Sequence, residues 1–224
     1  MEDCKIENLF DLEETIAKEF LKKFTYPWEA LPFIEDYIIE LGKTLDKNEY
    51  DEIKENVWVH KNTTIFETAY IKAPCIICEG AEIRQAAFIR GKAIVGKNAV
   101  VGNSTELKNV ILLNNVQVPH FNYIGDSILG YKAHLGAGAI TSNVKSDKKL
   151  VVIKDKKDKM EIPTEMKKVG AFVGDYSEVG CQTVLNPGTV IGRNTNIYPL
   201  SSVRGVIPEN SIYKNQNEIV NKEW

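Results

Sequence analysis

A period of six residues constrains this chain more than any other feature. From Val59 an aliphatic residue returns at Ile65, Ile71, Ile77, Ile83, Ile89, Val95, Val101, Leu107 and Leu113, and Pro119 closes the run. Two residues earlier in most hexads stands a small or polar residue, among them Thr63, Ala69, Cys75, Ala81, Ala87, Ala93, Ala99 and Thr105. Residues two apart on a strand share a face, so both sets are expected to point inward. The register slips at VPHFNYIGDS, resumes through Ile124, Leu129 and Leu135, and runs again through Val173, Val179, Leu185, Ile191, Ile197 and Val203. Neither a 3.6-residue helix nor a two-residue alternation repeats every six, so the pattern predicts short strands separated by corners and stacked as a solenoid. Glycine often follows the aliphatic residue, as at Gly96, Gly102, Gly136 and Gly174, where it suits a tight corner.

The flanks differ in kind. NLFDLEETIAKEFLKKF and WEALPFIEDYIIELGKTL carry apolar residues at three- and four-residue spacing, which predicts two or three amphipathic helices, with Pro27 and Pro32 marking where one gives way to the next. A solenoid leaves an open coil at its end, and the expected role of residues 1–56 is a helical cap on a β-domain spanning 57–224. An interruption at about 143–169 carries lysines at 145, 148, 149, 154, 156, 157 and 159 around LVVIK. It reads as an extended arm, either a solvated hairpin or a flap reaching an anionic ligand on a neighbouring subunit.

Charge excludes some partners. With 28 basic and 31 acidic residues the net charge is −3, which leaves no electrostatic footprint for nucleic acid or an anionic membrane. MEDCKIENLF lacks the basic and apolar regions of a leader, and no apolar run is long enough to span a bilayer, so the expected location is the cytoplasm. Cys75 and Cys78 have zinc-ligand spacing, but no second pair at similar spacing accompanies them. Cys4, Cys75, Cys78 and Cys181 are expected to be small buried thiols, and no metal site is expected.

The hexad pattern resembles the hexapeptide repeat of left-handed parallel β-helix acyltransferases, in which successive hexads build a triangular coil. That resemblance covers residues 57–207 and implies a mainly β, left-handed parallel β-helix; the hand is its contribution alone. An 18-residue coil would stack Arg90 directly on Lys108, and two like charges in register point to a bound phosphate or carboxylate. His120 follows where the register slips, beside Pro119, and breaks in a repeat are where side chains are re-aimed.

Within this class HFNYIGDSILGYKAHLGAGAITSN is similar to the catalytic stretch of the glucosamine-1-phosphate N-acetyltransferase domain of bifunctional UDP-N-acetylglucosamine-forming enzymes, and the spacing of Arg90, Lys108, His120 and Tyr123 agrees. The resemblance implies an acetyl-CoA-dependent N-acetyltransferase for an amino-sugar phosphate, built as a homotrimer with sites between subunits. It implies His120 as general base, with Arg90, Lys108 and Tyr123 on the sugar phosphate and Asn143 in the acetyl-transfer site. Acetyl-CoA would run along the later coils past Gly136, Ala137, Gly138 and Gly174, where small residues admit the pantetheine arm. Imidazole suits the general-base task near neutral pH.

His134 stands where the bifunctional bacterial enzymes carry asparagine, and Val144 where they carry tyrosine, which places acceptor choice at His134. No glycine-rich, lysine-bearing nucleotide loop occurs, so the sequence predicts the acetyltransferase part alone, with a separate nucleotidyltransferase as a partner. The alternatives are a non-catalytic scaffold, an acyltransferase for another small acceptor, and a γ-type carbonic anhydrase, whose histidine spacing His60, His120 and His134 do not match.

Overall fold

The computed structural model of the chain describes residues 1–155 and 159–223. Its body is a parallel β-solenoid. One face stacks Thr64–Ile65, Glu82–Ile83, Val100–Asn103, Gln117–His120, His134–Leu135, Glu178–Val179 and Asn196–Ile197. A second stacks Tyr70–Ile71, Phe88–Ile89, the starts of Glu106–Leu112 and Tyr123–Leu129, Ile140–Thr141, Val184–Leu185 and Ser202–Val203. A third begins with Val57–His60, Cys75–Ile77 and Ala93–Val95, takes the ends of the same two long strands, and finishes with Ala171–Val173, Thr189–Ile191 and Val206–Ile207. The expected inward residues are the core: Ile77, Ile83, Ile89, Val95, Val101, Leu107, Ile124, Leu129, Leu135 and Ile191 are fully buried.

The first register slip lies earlier than expected. Pairing Leu107 with Ile89 spans 18 residues, whereas Leu112 pairs with Val95 and spans 17. The corner between these faces holds Lys108 and Asn109, one residue fewer than Arg90, Gly91 and Lys92 in the coil before, so Glu106–Leu112 continues round it as one strand. Tyr123–Leu129 repeats the short corner at Gly125 and Asp126. Leu112 takes the inward register, and Leu113 is buried as well, which hid the slip in the sequence. His120 therefore sits in a regular corner: it pairs with Asn103, and Phe121 adopts the same positive φ as Ser104 one coil before. Pro119 is accommodated because Gly102 lacks the Cβ that would run into the Pro119 backbone.

The N-terminal helices are shorter than expected. They comprise Ile6–Leu9, Lys18–Leu21, Pro27–Ala30 and Ile34–Gly42, joined by short 3-10 turns. Pro27 opens one and Pro32 falls in a 3-10 turn, as a residue lacking an N–H should. They lie along the third face rather than over the open end. Asp175 donates its N–H to Leu9, Trp28 packs on Phe172 at 5.9 Å, Glu35 pairs with Lys92 at 2.6 Å, and Gly42 lies against the Trp58 ring. The open edge is instead covered by Tyr50–Lys54, antiparallel to Val57–His60, and the far end by the hairpin Ser211–Asn215 and Glu218–Asn221.

The interruption is a hairpin, Val152–Asp155 with Met160–Pro163, folded onto its own solenoid. Val151 and Ile153 are fully buried against Gly188, and Lys154 approaches Gly205 through its carbonyl. It is not an arm held out toward another subunit. Lys145 pairs with Asp147 and Lys154 with Glu161, Lys148, Lys149 and Lys159 are exposed, and the lysines at 156 and 157 lie outside the described residues.

Candidate active site

The second face carries the polar residues, and the short corner decides how they meet. At Gly125 and Asp126 the chain turns one residue early, with Asp126 at φ +49°, and its carboxylate is drawn under the surface to 3% exposure. There it accepts both 2.9 Å bonds from Lys108 Nζ, a 2.9 Å bond from Asn109 Nδ2 and a 2.5 Å bond from Asn143 Nδ2. Asn143 Nδ2 also donates to the Tyr123 hydroxyl at 3.2 Å. The Tyr123 ring folds back along its own strand, because Gly125 offers no Cβ to block its hydroxyl. Burial first, and then the negative charges of Asp126 and Glu106, push the phenol above its ordinary pKa.

Arg90 joins this network through Glu106, at 2.7 Å, and that hydrogen bond raises its pKa further. Arg90 and Lys108 do stack in adjacent coils, since the Arg90 N–H donates to the Leu107 carbonyl. The argument from unrelieved like charges does not hold, however: each cation has its own carboxylate, Glu106 or Asp126. Neither acid stood out in the sequence. The available signal for Asp126 was an acidic residue inside the otherwise small and apolar YIGDSILG.

His120 occupies the opposite corner of the same face, three residues before Tyr123, so their Cα atoms are at most about 11 Å apart. It is exposed, and its ring makes no hydrogen bond among the described residues. Its backbone, by contrast, is fixed on both sides. The N–H donates to Asn122 Oδ1 at 3.1 Å, and the carbonyl accepts from the Gly138 N–H at 3.0 Å. Asn122, 1% exposed, spends its amide protons on the Gly136 and Ala139 carbonyls at 2.9 and 3.0 Å, pinning this corner to the next. That makes Asn122 a positioning residue missed in the sequence. Ala137 lies one coil above His120, and its N–H has no acceptor among the described residues.

The remaining expectations divide. Gly136 and Gly138 lie beside Ala137, but what they lack is a Cβ that would strike Cys181 and Gln182 in the next coil; Gly174 similarly faces Arg193. Coil stacking, rather than the approach of a ligand, requires glycine there. His134 is not beside Tyr123: it sits on the first face, stacked between Gln117 and Glu178, with Nδ1 2.7 Å from the Glu178 carboxylate. Cys4, Cys75 and Cys78 are buried, and burial raises the Cys4 and Cys78 thiols to about 12, but Cys181 is exposed. Among the described residues no three His, Cys, Asp or Glu groups stand close enough to hold a metal ion, and no helix is long and apolar enough to cross a membrane.

A family model described as the GMPPB C-terminal domain matches residues 71–157, a stretch that contains Arg90, Lys108, His120, Tyr123, His134 and Asn143. The chain is 33% identical over 114 residues to the bifunctional protein GlmU of Methanococcus maripaludis, covering 50% of this chain and 27% of that one. It is 32% identical over 89 residues to a bifunctional sugar-1-phosphate nucleotidylyltransferase/acetyltransferase of Sulfurisphaera tokodaii, covering 40% and 22%. It thus spans about a quarter of the length of these relatives. Among solved structures, perosamine N-acetyltransferase from Caulobacter crescentus superposes with a TM-score of 0.43 at 16% identity, covering 72% of this chain and 56% of the other. The relative from Sulfurisphaera tokodaii is an acetyltransferase by name, in line with the resemblance read from the motif.

Proposed function

We propose that the chain is an acetyl-CoA-dependent N-acetyltransferase that acts in the cytoplasm on an amino-sugar phosphate such as glucosamine-1-phosphate, as a homotrimer with its sites between subunits, alongside a separate nucleotidyltransferase. The observation that carries this reading is the second face itself: an imidazole that makes no hydrogen bond among the described residues at one corner, and a cation, amide and phenol network at the other. An acceptor lying across the face would meet both.

In this reading His120 takes the proton that the amine loses as it attacks the thioester, and returns it to the departing thiolate. With no hydrogen bond to the ring among the described residues, a ring nitrogen is available, while Asn122 fixes the backbone that aims it. Arg90 binds the phosphate by exchanging Glu106 for it. Lys108 adds charge at the same corner, and Tyr123 and Asn143 supply hydrogen-bonding groups to the sugar. Acetyl-CoA runs past Gly136, Ala137 and Gly138, whereas Gly174 is buried at the corner after the third face and lies off that path; the Ala137 N–H, which has no acceptor among the described residues, supplies a donor for the oxyanion formed as the amine adds. A panel of amino sugars, both as free phosphates and linked to nucleoside diphosphates, incubated with acetyl-CoA and read by release of free thiol, tests this. At least one should elicit turnover; silence across the panel would leave a scaffold with a vestigial site as the better account.

A further inference from the structure

The same face continues, away from His120, into a feature the acetyl-transfer reading does not use. Tyr70 pairs with Phe88, Phe88 with Glu106, and Glu106 with Tyr123, so these residues form one outward column across consecutive coils. Two residues along each strand runs a parallel column of cations, Lys72, Arg90 and Lys108, joined by the bonds from the Lys72 N–H to Ile89 and the Arg90 N–H to Leu107. The aromatics are open to solvent, Tyr70 by 59% and Phe88 by 40%, with ring centroids 5.8 Å apart. Lys54 stands over the Tyr70 ring at 5.3 Å. Lys72 is exposed and has no carboxylate partner among the described residues, unlike Arg90 and Lys108.

Exposed aromatic rings beside a row of cations suit a ligand that joins a planar base to phosphates: rings stack on bases, and cations follow the charge. Coils are about 4.8 Å apart, so the Phe88 and Tyr70 levels lie roughly 10 and 14 Å from the Tyr123 level, the scale on which a diphosphate separates a sugar from its nucleoside. We infer that Tyr70, Phe88 and Lys72 form a nucleoside-diphosphate subsite, so that the acceptor is an amino sugar carried on a nucleoside diphosphate, with the base on the aromatic pair and the diphosphate along Lys72 and Arg90. This rests on the proposed acetyl transfer for the sugar end of the ligand, and the position of the subsite assigns it to the acceptor: it lies on the Tyr123 side of the site, on the earlier coils, away from Ala137. Glu106 shares Arg90 with the diphosphate, which leaves Lys72 as the stronger anchor.

Calorimetric titration of the full chain with uridine, guanosine and thymidine diphosphates, and with pyrophosphate, tests the subsite. At least one nucleoside diphosphate should bind more tightly than pyrophosphate. Tyr70→Ala combined with Phe88→Ala should raise its Kd roughly 5- to 100-fold while leaving pyrophosphate unaffected. Phe88→Trp should retain the affinity, and Lys72→Ala should weaken both ligands. Equal binding of nucleoside diphosphate and pyrophosphate, or an unchanged Kd in the double alanine variant, would overturn the inference. So would displacement of the nucleoside diphosphate by coenzyme A, which would give the platform to the acyl donor, or a loss of oligomer in the alanine variant by light scattering, which would make this face a contact between copies. Thiol release from acetyl-CoA is measured on the same preparations. Turnover of a sugar 1-phosphate without nucleoside-diphosphate binding rejects the subsite alone, whereas binding without turnover of any amine rejects the acetyl-transfer reading alone.

Discussion

Removing the Asp126 carboxylate should do more damage than removing either cation of the site. It is 3% exposed and accepts four hydrogen bonds, two of them from the Lys108 ammonium. A hydrogen bond to a charged group contributes about 1.5–3 kcal/mol, and stranding a buried partner adds its desolvation. Asn109 is itself only 9% exposed and would lose its acceptor, whereas the Lys108 side chain, 24% exposed, can turn to water. Asp126→Ala should therefore cost about 3–5 kcal/mol, part of it from forcing alanine into φ +49°. Asp126→Gly tolerates that backbone and isolates the carboxylate, at about 2–4 kcal/mol, while Asp126→Asn keeps one acceptor and should cost about 1–2 kcal/mol. Urea unfolding followed by circular dichroism and by tyrosine fluorescence would report both the cost and the coincidence of the two transitions. A loss below 1 kcal/mol in the glycine variant would refute the view that this carboxylate organises the corner.

Asp175, 1% exposed, accepts the Asp11 and Tyr131 N–H groups and faces Arg193, yet burial outweighs them and raises its pKa from 3.8 to about 6. The folded state holds this proton more tightly than the unfolded one, so the contribution is fully present below about pH 4 and is lost as pH rises through 6; Asp175→Asn should remove about 3 kcal/mol of pH dependence from unfolding measured between pH 4 and 7. Arg90→Ala should raise the KM of the acceptor more than that of acetyl-CoA in steady-state assays, and equal effects would indicate damaged folding. Light scattering at micromolar concentration should give a trimer, and a monomer would sink the intersubunit site.

The repeat was legible because every coil must send an aliphatic side chain to the same narrow core, which writes the coil length into the sequence. Asp126 was not legible as a partner, since it meets Lys108 only because the corners at Lys108–Asn109 and Gly125–Asp126 each hold one residue fewer, and the neighbouring Leu112 and Leu113 conceal that loss; Glu106, in regular register with Phe88, meets Arg90 across the strands without any break in the repeat to mark it. The helices could be read from their spacing, but not their seat: which side of a prism an amphipathic segment covers is decided by contacts such as Trp28 with Phe172. Glycine pointed in two directions. At Gly125 it makes room for the Tyr123 ring, while at Gly136 it clears the coil above, and a lone glycine in a sequence does not distinguish the two.

The most direct test of the account is kcat for acetyl transfer by the parent chain and by His120→Ala, using the acceptor that the panel identifies. The variant should keep its KM for acetyl-CoA, since the His120 ring makes no hydrogen bond among the described residues, and lose kcat by about 10²- to 10⁴-fold, the range for a missing general base. A His120→Ala protein that retains most of the parent kcat would contradict the assignment of the base and, with it, the proposed active site.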